Sequence, residues 1–307
     1  MKVCVYSEND WANLGYLYAK SLSSVGVEAR AYTQYRHVFD YTEQASTDMH
    51  ECAEFMSDSD VLLMMHSYKR TPNHYRGGKI FVHHGGTVYR LYHEQLNKYF
   101  NQFVNGTIVQ DGCFLDKGAK NAHWVMAPVD TDTLRPVPGN HEDEIWVGHF
   151  PSCKPEDKGS FIIERVFREL REMNLNNKKV RYIFRSDPIP WKDHIKQVSQ
   201  CDIYIEQLMP EIPMYGDPGI SALEAASLGC IVLSNFVSYW KYFRVFGTEP
   251  GIIPVTMETL KNTLISIILG PELKRSSIKT YTREWVQNFH SYQAVGKQLV
   301  KAFESQG

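Results

Sequence analysis

The stretch GDPGISALEAASLGCIVLSN, residues 216–235, places one glutamate inside a short run of small and apolar residues. The glycine turn before this run predicts a helix that begins at Gly219, so that Glu224 lies in its first turns. A carboxylate at such a position can accept two hydrogen bonds from a ribose diol, as acidic residues of dinucleotide-binding folds do. It can equally pair with a nearby lysine or arginine, and the residues alone leave both interpretations open.

Two predicted strand-to-helix corners carry the residues of an anion site: Lys158 with Gly159, and Gly219 with Ile220. The unpaired N–H groups and the dipole at a helix N-terminus favour negative charge. Lys158 would neutralise a diphosphate there, and Gly159 would let the backbone come close; the alternative is a solvated lysine beside an ordinary glycine. The sequence contains neither a P-loop motif nor G-x-G-x-x-G after its first strand, which argues against those two nucleotide-binding classes.

The composition is that of a soluble globular protein. The 307 residues include 33 basic and 35 acidic side chains, so a net charge of −2 gives no reason to expect a polyanion or a membrane surface as partner. The six cysteines lack C-x-x-C spacing and are expected to be reduced core residues. Because no apolar run reaches about 18 residues and no signal-like segment begins the chain, we expect a cytoplasmic protein.

Strand-like and helix-like segments alternate along the chain and then alternate again after a Pro- and Gly-rich stretch at 135–144. This pattern predicts an α/β protein with two doubly wound, Rossmann-like domains, at 1–134 and 135–285. A long helix is predicted to end near Ser57. The segment 286–307, the end of a long C-terminal helix beginning near residue 271, is expected to pack back on the first domain.

Three motifs in order resemble those of the retaining, family-4-like (group 1) glycosyltransferases of the GT-B fold, which use nucleotide-sugar donors. They are VDTDTLRP at 129–136, VGHFPSCKPEDKGS at 147–160, and CDIYIEQL followed by YGDPGISALEAASLGCIVLSN at 201–235. The last is the most specific, since the family runs from an acidic strand into G-x-x-x-L-E-A-x-A-x-G-x-P-V. The resemblance covers about residues 125–236, whereas the first domain matches in pattern alone.

The resemblance implies a donor such as a UDP- or GDP-sugar in an interdomain cleft, held chiefly by the second domain. Lys158 is then the diphosphate ligand that stabilises the leaving group, with Gly159, Gly219 and Ile220 at the phosphates and Glu224 on the ribose. The implied reaction transfers the sugar to a hydroxyl with retention, without metal or cofactor, and a donor phosphate oxygen takes the acceptor proton.

In the first domain, His83 and His84 end a predicted strand and precede two glycines. Relatives place a histidine here against the donor sugar, so the resemblance assigns His84 to that role, and His83 is expected in the core. Gly15 resembles the family's first-strand loop, which approaches the diphosphate or the acceptor. Arg90 is either a polar group of the active site or a surface arginine.

The sequence departs from the family where the first of two glutamates is expected, because Gly216 stands eight residues before Glu224. Asp217, one residue later, is our candidate substitute and is counted among the catalytic residues; Glu211 is the other. This departure bears on the identity of the sugar and on the stereochemical outcome.

The phosphate loop also departs from the family, since His149 replaces the basic residue that usually follows the strand's glycine. The loop is longer than usual and contributes Lys154. Arg185 ends another strand and either reaches the phosphates or is a structural arginine at the sheet edge. We assign His149 and Arg185 to the donor site.

The remaining signals leave the partners open. The D-x-D at Asp130–Asp132 resembles a GT-A metal motif but lies at the predicted junction, so no metal site is assigned. The aromatic and basic residues of the first domain either stack on an acceptor and contact phosphates, or pack helices on the sheet among ordinary solvated charges. We expect the acceptor to be a glycan, a lipid-linked sugar or a modified nucleic-acid base. The alternative functions are a nucleotide-sugar epimerase of the same fold and an inactive sugar-nucleotide-binding protein.

Overall fold

The computed structural model describes residues 1–70, 73–137, 144–151, 155–208 and 216–305. Over these residues the chain forms ten α-helices and two parallel sheets. It divides into two compact units, one built from Met1–Pro128 with Phe289–Gly307 and the other from Val129–Asn288.

The first unit contains a six-stranded parallel sheet in the order β2-β1-β3-β4-β5-β6. The short apolar strands, such as VLLM in β3, are buried completely, which is typical of a parallel sheet with helices on both faces. The strands are β1 (Lys2–Asn9), β2 (Glu28–Tyr35), β3 (Val61–Met64), β4 (Lys79–His84), β5 (Gly106–Val109) and β6 (Ala122–Trp124).

The helices of the first unit include one from the far end of the chain. They are α1 (Leu14–Ser23), α2 (Met49–Ser57), α3 (Gly86–Phe100) and α10 (Tyr292–Glu304). Helix α10 lies against α1, where a Cβ on Gly296 would be 2.2 Å from the carbonyl oxygen of Ser21. Phe303 packs on Phe81 of β4 with ring centroids 4.8 Å apart. Glycine at 296 therefore permits the close approach of two helix backbones.

Two predicted helices differ from the structure. The helix ending at Ser57 is shorter than predicted and consists of α2 alone, because the chain before it pairs with β2. The Ser46 N–H donates to the Ala31 carbonyl of β2 at 2.9 Å. The predicted C-terminal helix is two helices in the structure. The first, α9, spans Glu272–His290, and the backbone of Ser291 after it is extended. The Ser291 side chain accepts a hydrogen bond from the Ala294 N–H. A serine N-cap restarts the helix there.

The second unit contains a five-stranded parallel sheet in the order β11-β10-β9-β7-β8. Its strands are β7 (Glu144–His149), β8 (Lys179–Phe184), β9 (Ile203–Ile205), β10 (Ile231–Ser234) and β11 (Ile253–Pro254). Its helices are α4 (Ser160–Arg171), α5 (Trp191–Val198), α6 (Ile220–Ser227), α7 (Tyr239–Phe246), α8 (Leu260–Leu269) and α9. Apolar residues of α4 and α8 form one buried core with the strands.

Each sheet has a point where the strand order reverses. From the first strand of a unit, the chain adds the second on one side and the third on the other, so the reversal lies between β1 and β3 and between β7 and β9. In open α/β sheets, ligands bind outside the carboxyl ends of the strands at such a point. Each unit therefore positions one candidate site.

Candidate functional site

The connection from β7 to α4 brings Lys158 over the carboxyl end of β9. Gly159 has a left-handed backbone with φ of 67°, and a Cβ there would lie 1.8 Å from the carbonyl oxygen of Leu208. The Leu208 N–H in turn donates to the Lys158 carbonyl at 2.9 Å. Only glycine fits this approach, which fixes the start of α4 against the segment that follows β9.

The Lys158 ammonium is held by two side chains from the end of β9. Its Nζ lies 2.7 Å from Glu206 Oε1 and 2.7 Å from Gln207 Oε1. The Glu206 side chain is 1% exposed, and its other oxygen accepts from Ser234 Oγ at 2.8 Å. An ammonium has three donors, so one donor of Lys158, whose side chain is 30% exposed, has no partner among the described residues and can bind a ligand.

Glu206 belongs to the candidate site by its contacts, although the sequence pattern does not single it out. It lies in the apolar segment CDIYIEQL, and a charged side chain in a buried strand signals a paired group. Its partner Lys158 is 48 positions away in sequence, which the pattern of the strand does not reveal.

The N-terminus of α6 meets the same carboxylate. Gly219 caps the helix, and a Cβ on it would lie 3.1 Å from Glu206 Oε1. Ile220 is the first helical residue and is half-buried. The structure thus brings together Lys158, Gly219 and the positive end of α6, with Glu206 between them.

Glu224 lies one turn along α6 and is largely buried, with 7% of its surface exposed. Its Oε1 accepts a hydrogen bond from Trp191 Nε1 at 2.6 Å. Burial raises the pKa of Glu224 to about 7, although the bond from Trp191 works in the opposite direction. Among the described residues its partner is an indole rather than the lysine or arginine that the sequence left open.

His149 at the end of β7 joins three elements. Its Nδ1 donates to the Ile205 carbonyl at 2.8 Å, and its Nε2 accepts from Ser160 Oγ at 2.8 Å. Burial lowers its pKa to about 4, so the ring is neutral at physiological pH. With both nitrogens engaged, His149 positions the start of α4, and a direct bond to a donor would require one of these partners to leave.

The loop before α6 folds onto the end of β10. Gly216 has φ of 129°, and a Cβ on it would lie 2.4 Å from Asn235 Nδ2. Asp217 is buried; its Oδ1 accepts from the Ser238 N–H at 2.9 Å, and its carbonyl accepts from Gln207 Nε2 at 3.0 Å. Asp217 therefore anchors this loop, whereas Glu211 and Lys154 lie outside the described residues.

Arg185, after β8, connects to α5. Its Nε donates to Gln197 Oε1 at 2.8 Å, its Nη1 donates to the Asp187 carbonyl, and its Nη2 lies 3.1 Å from His194 Nδ1. Burial lowers the pKa of Arg185 and, with the nearby guanidinium, lowers that of His194 to about 4. The arginine thus holds the loop that leads to Trp191.

In the first unit, His84 is buried in an aromatic cluster. Its ring stacks on Tyr89 with centroids 4.1 Å apart, and its Nδ1 lies 2.9 Å from Ser67 Oγ. Burial lowers its pKa to about 3. His83 faces the opposite side of β4, where its ring is 5.7 Å from that of Tyr18.

Two further first-unit residues from the sequence analysis have protein partners. The N–H of Gly15, in α1, donates to Asp10 Oδ1 at 2.6 Å. Arg90 forms an ion pair with Asp111, which is buried, and its guanidinium lies over the ring of Phe114 at 5.4 Å from the ring centroid. Asp10 thus occupies the N-terminus of α1 in this structure.

The D-x-D segment forms a turn. Asp130 Oδ1 accepts from the N–H groups of Asp132 at 3.1 Å and Thr133 at 3.0 Å. Within the described residues, no group of three or more His, Cys, Asp or Glu side chains could hold a metal ion. The described helices also include none whose length and hydropathy would let it cross a membrane.

Solved structures with the same fold were found, although no family model and no curated protein matches the sequence. HepE of Anabaena in complex with UDP-glucose has a TM-score of 0.62 at 12% identity, with 99% of this chain and 100% of that chain covered. An alpha-glucosyltransferase in complex with UDP and a 13-mer DNA containing an HMU base has a TM-score of 0.63 at 12% identity, with 99% of each chain covered.

Sucrose-phosphate synthase of Thermosynechococcus elongatus is also similar, with a TM-score of 0.59 at 11% identity and 99% of each chain covered. The likeness extends over the whole chain in all three cases. The chain therefore has the mixed α/β fold of GT-B glycosyltransferases, with two parallel sheets, which agrees with the fold class that the motifs implied.

Proposed function

We propose that the chain is a glycosyltransferase that moves a sugar from a nucleoside-diphosphate sugar to a hydroxyl acceptor. The observation that carries the proposal is the arrangement at the β7/β9 reversal: Lys158 and the N-terminus of α6 converge on Glu206, and Glu224 follows one turn later. A cation beside a helix N-terminus suits a diphosphate, and a carboxylate nearby suits a pentose diol.

In this proposal the diphosphate is the leaving group. Negative charge grows on its oxygens as the bond to the sugar breaks, so the free donor of Lys158 and the N–H groups at Ile220 stabilise the transition state more than the ground state. Glu206 and Gln207 hold the ammonium in place before the donor binds, which reduces the reorganisation needed at the moment of reaction.

Glu224 receives the hydroxyl groups of the pentose. Trp191 occupies Oε1 and orients the carboxylate, so one oxygen remains for a donor hydroxyl. The fold of the UDP-glucose complex of HepE and of the alpha-glucosyltransferase with UDP supports a uridine nucleotide as the first donor to test.

The proposal includes the finer features that the sequence leads us to expect. These are retention, a hexosyl group, independence of metal and cofactor, a cytoplasmic location, and domain limits at 134 and 285. In this proposal His149 positions the start of α4, and Arg185 holds the loop before Trp191. Asp217, Gly15 and His84 remain assigned to the site as proposals.

Release of UDP from UDP-glucose tests the function. We expect slow release by the wild-type protein and loss of release in Lys158→Met and Glu224→Gln, while Glu172→Gln, an exposed change in the same unit, keeps the wild-type rate. Release that is equal in all four proteins would contradict the proposal.

A sugar-nucleotide-binding protein without turnover is the second candidate. Gly216, in place of the family's first glutamate, has a left-handed backbone that a glutamate side chain would strain. UDP binding that depends on Lys158 and Glu224, with no release from any donor and acceptor pair, would favour this candidate.

A further inference from the structure

The first unit has its own strand-order reversal, between β1 and β3, and two titratable side chains meet there. Asp10 follows β1 and His66 follows β3; His66 Nε2 lies 3.5 Å from Asp10 Oδ1. The Asp10 carboxylate is buried and also accepts from the N–H groups of Gly15 at 2.6 Å and Tyr16 at 3.0 Å. The carboxyl edge at a reversal is where open α/β sheets bind ligands.

The backbone at this edge is strained on both strands. Ala12 and Asn13 have φ of 57° and 58°, and His66 and Ser67 have φ of 55° and 60°. Non-glycine residues in this region of backbone conformation are strained and cluster at functional sites. The strain accompanies the Asp10–His66 pair on both sides of the reversal.

Aromatic rings line the solvent side of the same edge. Trp11 is 60% exposed, and its ring stands at 89° to that of His37 with centroids 5.9 Å apart. The His37 ring lies 4.8 Å from Phe39 and 5.2 Å from Tyr41. We call Trp11, His37, Phe39 and Tyr41 the aromatic shelf.

Glu43 ties this shelf to the start of α1. Its carbonyl accepts from Asn13 Nδ2 at 2.8 Å, and its carboxylate accepts from Tyr16 Oη at 2.5 Å. Lys20 lies 3.3 Å from the same carboxylate, and these bonds lower the pKa of Glu43. The exposed tryptophan therefore stands on a loop that is held by hydrogen bonds rather than on a free segment.

The charges around the shelf disfavour a polyanion. Residues 8–20 and 35–45 contain four carboxylates, Glu8, Asp10, Asp40 and Glu43, against two cations, Lys20 and Arg36. A nucleic acid requires cations that neutralise its phosphates. A neutral polyol suits the surface better, because aromatic faces pack against its C–H groups while imidazole and carboxylate groups bond to its hydroxyls.

We propose that the aromatic shelf and the Asp10–His66 pair form a binding site for a neutral saccharide, with Trp11 against a sugar face and His66 on a hydroxyl. Because His66 Nε2 faces Asp10, Nδ1 is the ring nitrogen available to accept from that hydroxyl. The assignment of this saccharide as the acceptor of the reaction rests on the glycosyltransferase function proposed above. The binding of a saccharide at this site does not depend on that function.

A printed array of neutral oligosaccharides, probed with the labelled full-length protein, tests the proposal, and the best probe is then titrated calorimetrically. We expect Trp11→Ala to weaken that binding about tenfold, the equivalent of one stacked ring. His66→Asn, which keeps a residue that tolerates the left-handed backbone, should weaken it as well. Trp240→Ala is the matched control, since Trp240 is 71% exposed in the other unit.

Any of three results would overturn the proposal: the wild type binds no oligosaccharide, Trp11→Ala binds the best oligosaccharide as tightly as the wild type, or the wild type binds a 13-mer DNA containing an HMU base more tightly than any neutral oligosaccharide. UDP titration of the same proteins separates the two proposals. Saccharide binding without UDP binding would support the saccharide site and contradict a UDP-sugar donor, whereas UDP binding without saccharide binding would support the donor site and reject the saccharide site.

Discussion

At the scale of single residues, the Glu206 carboxylate holds the Lys158 ammonium in a position where it can bind an anion. A buried carboxylate needs a cation and hydrogen-bond donors, and Lys158 and Ser234 supply them. The ammonium that neutralises Glu206 is also the one with a donor left for a ligand. The same pair therefore serves both stability and the proposed chemistry.

The pair predicts a large stability effect. Glu206→Leu leaves Lys158 with Gln207 and solvent and leaves the buried Ser234 hydroxyl without its acceptor, so we expect a loss of about 1–3 kcal/mol in the free energy of unfolding. Glu169→Leu is the control, because its ion pair with Lys261 is exposed and worth about 1 kcal/mol or less. Urea unfolding of both variants gives the comparison, and losses of equal size would show that Glu206 is not a buried partner.

Glu224 predicts a pH dependence of UDP affinity. A carboxylate with a pKa of about 7 binds hydroxyl donors when it is ionised, so affinity should rise with pH through 7. Trp191→Phe removes the hydrogen bond that lowers this pKa, and the midpoint should move to higher pH. Calorimetric titrations from pH 5.5 to about 8.5 measure this, spanning the interval around that pKa.

Glu224→Gln is the control for that experiment, because it removes the Glu224 carboxyl while the titrating terminal phosphate of UDP is the same in every titration. The part of the pH dependence that differs between the wild type and Glu224→Gln belongs to Glu224. Identical profiles for the wild type, Trp191→Phe and Glu224→Gln would show that Glu224 does not contact the nucleotide.

At the scale of elements, the site depends on two glycines that let a helix start approach a strand end. Gly159 admits the Leu208 carbonyl, and Gly219 admits Glu206. The element that each precedes, α4 or α6, is thereby aligned on the carboxyl end of β9. A Cβ at Gly159 would require the backbone at Leu208 to move, whereas a Cβ at Gly219 would require a small shift of the Glu206 side chain.

Gly159→Ala should destabilise the second unit by about 2–4 kcal/mol, since the new Cβ would overlap the Leu208 carbonyl and the backbone is left-handed. Gly247→Ala is the matched control: φ is 71° there, with nothing within 4 Å of the added Cβ, so we expect only the conformational cost of about 1–2 kcal/mol. Thermal or urea unfolding of both variants tests the difference, which would vanish if the close approach were absent.

The sequence predicted the elements whose patterns are strongest. The runs in β3 and β4 and the helix around Glu224 were correct, because apolar strands and glycine-bounded helices are local signals. The segment before α2 was wrong because pairing of Ser46 with β2 overrides its helix-like spacing. Glu206 with Lys158 and Trp191 with Glu224 join residues far apart in sequence, so no local pattern could reveal them.

At the scale of the whole molecule, the last helix, α10, packs in the first unit, which the beginning of the chain forms. Gly296 of α10 permits the contact with α1, whose N-terminus Asp10 occupies. Gly296→Val should therefore reduce amide exchange protection in α1 and α10 and leave α4 and α6 protected. Equal loss of protection in both units would show that the two compact units do not unfold separately.

The proposed glycosyltransferase function depends on a nucleoside diphosphate bound by Lys158. Calorimetric titration of UDP into the wild type, Lys158→Met and Lys178→Met tests this most directly, because Lys178 is an exposed lysine at the opposite edge of the same sheet. We predict binding by the wild type and Lys178→Met and at least about tenfold weaker binding by Lys158→Met. Equal affinity in all three proteins, or no binding by the wild type, would contradict the proposal that Lys158 binds the diphosphate of UDP.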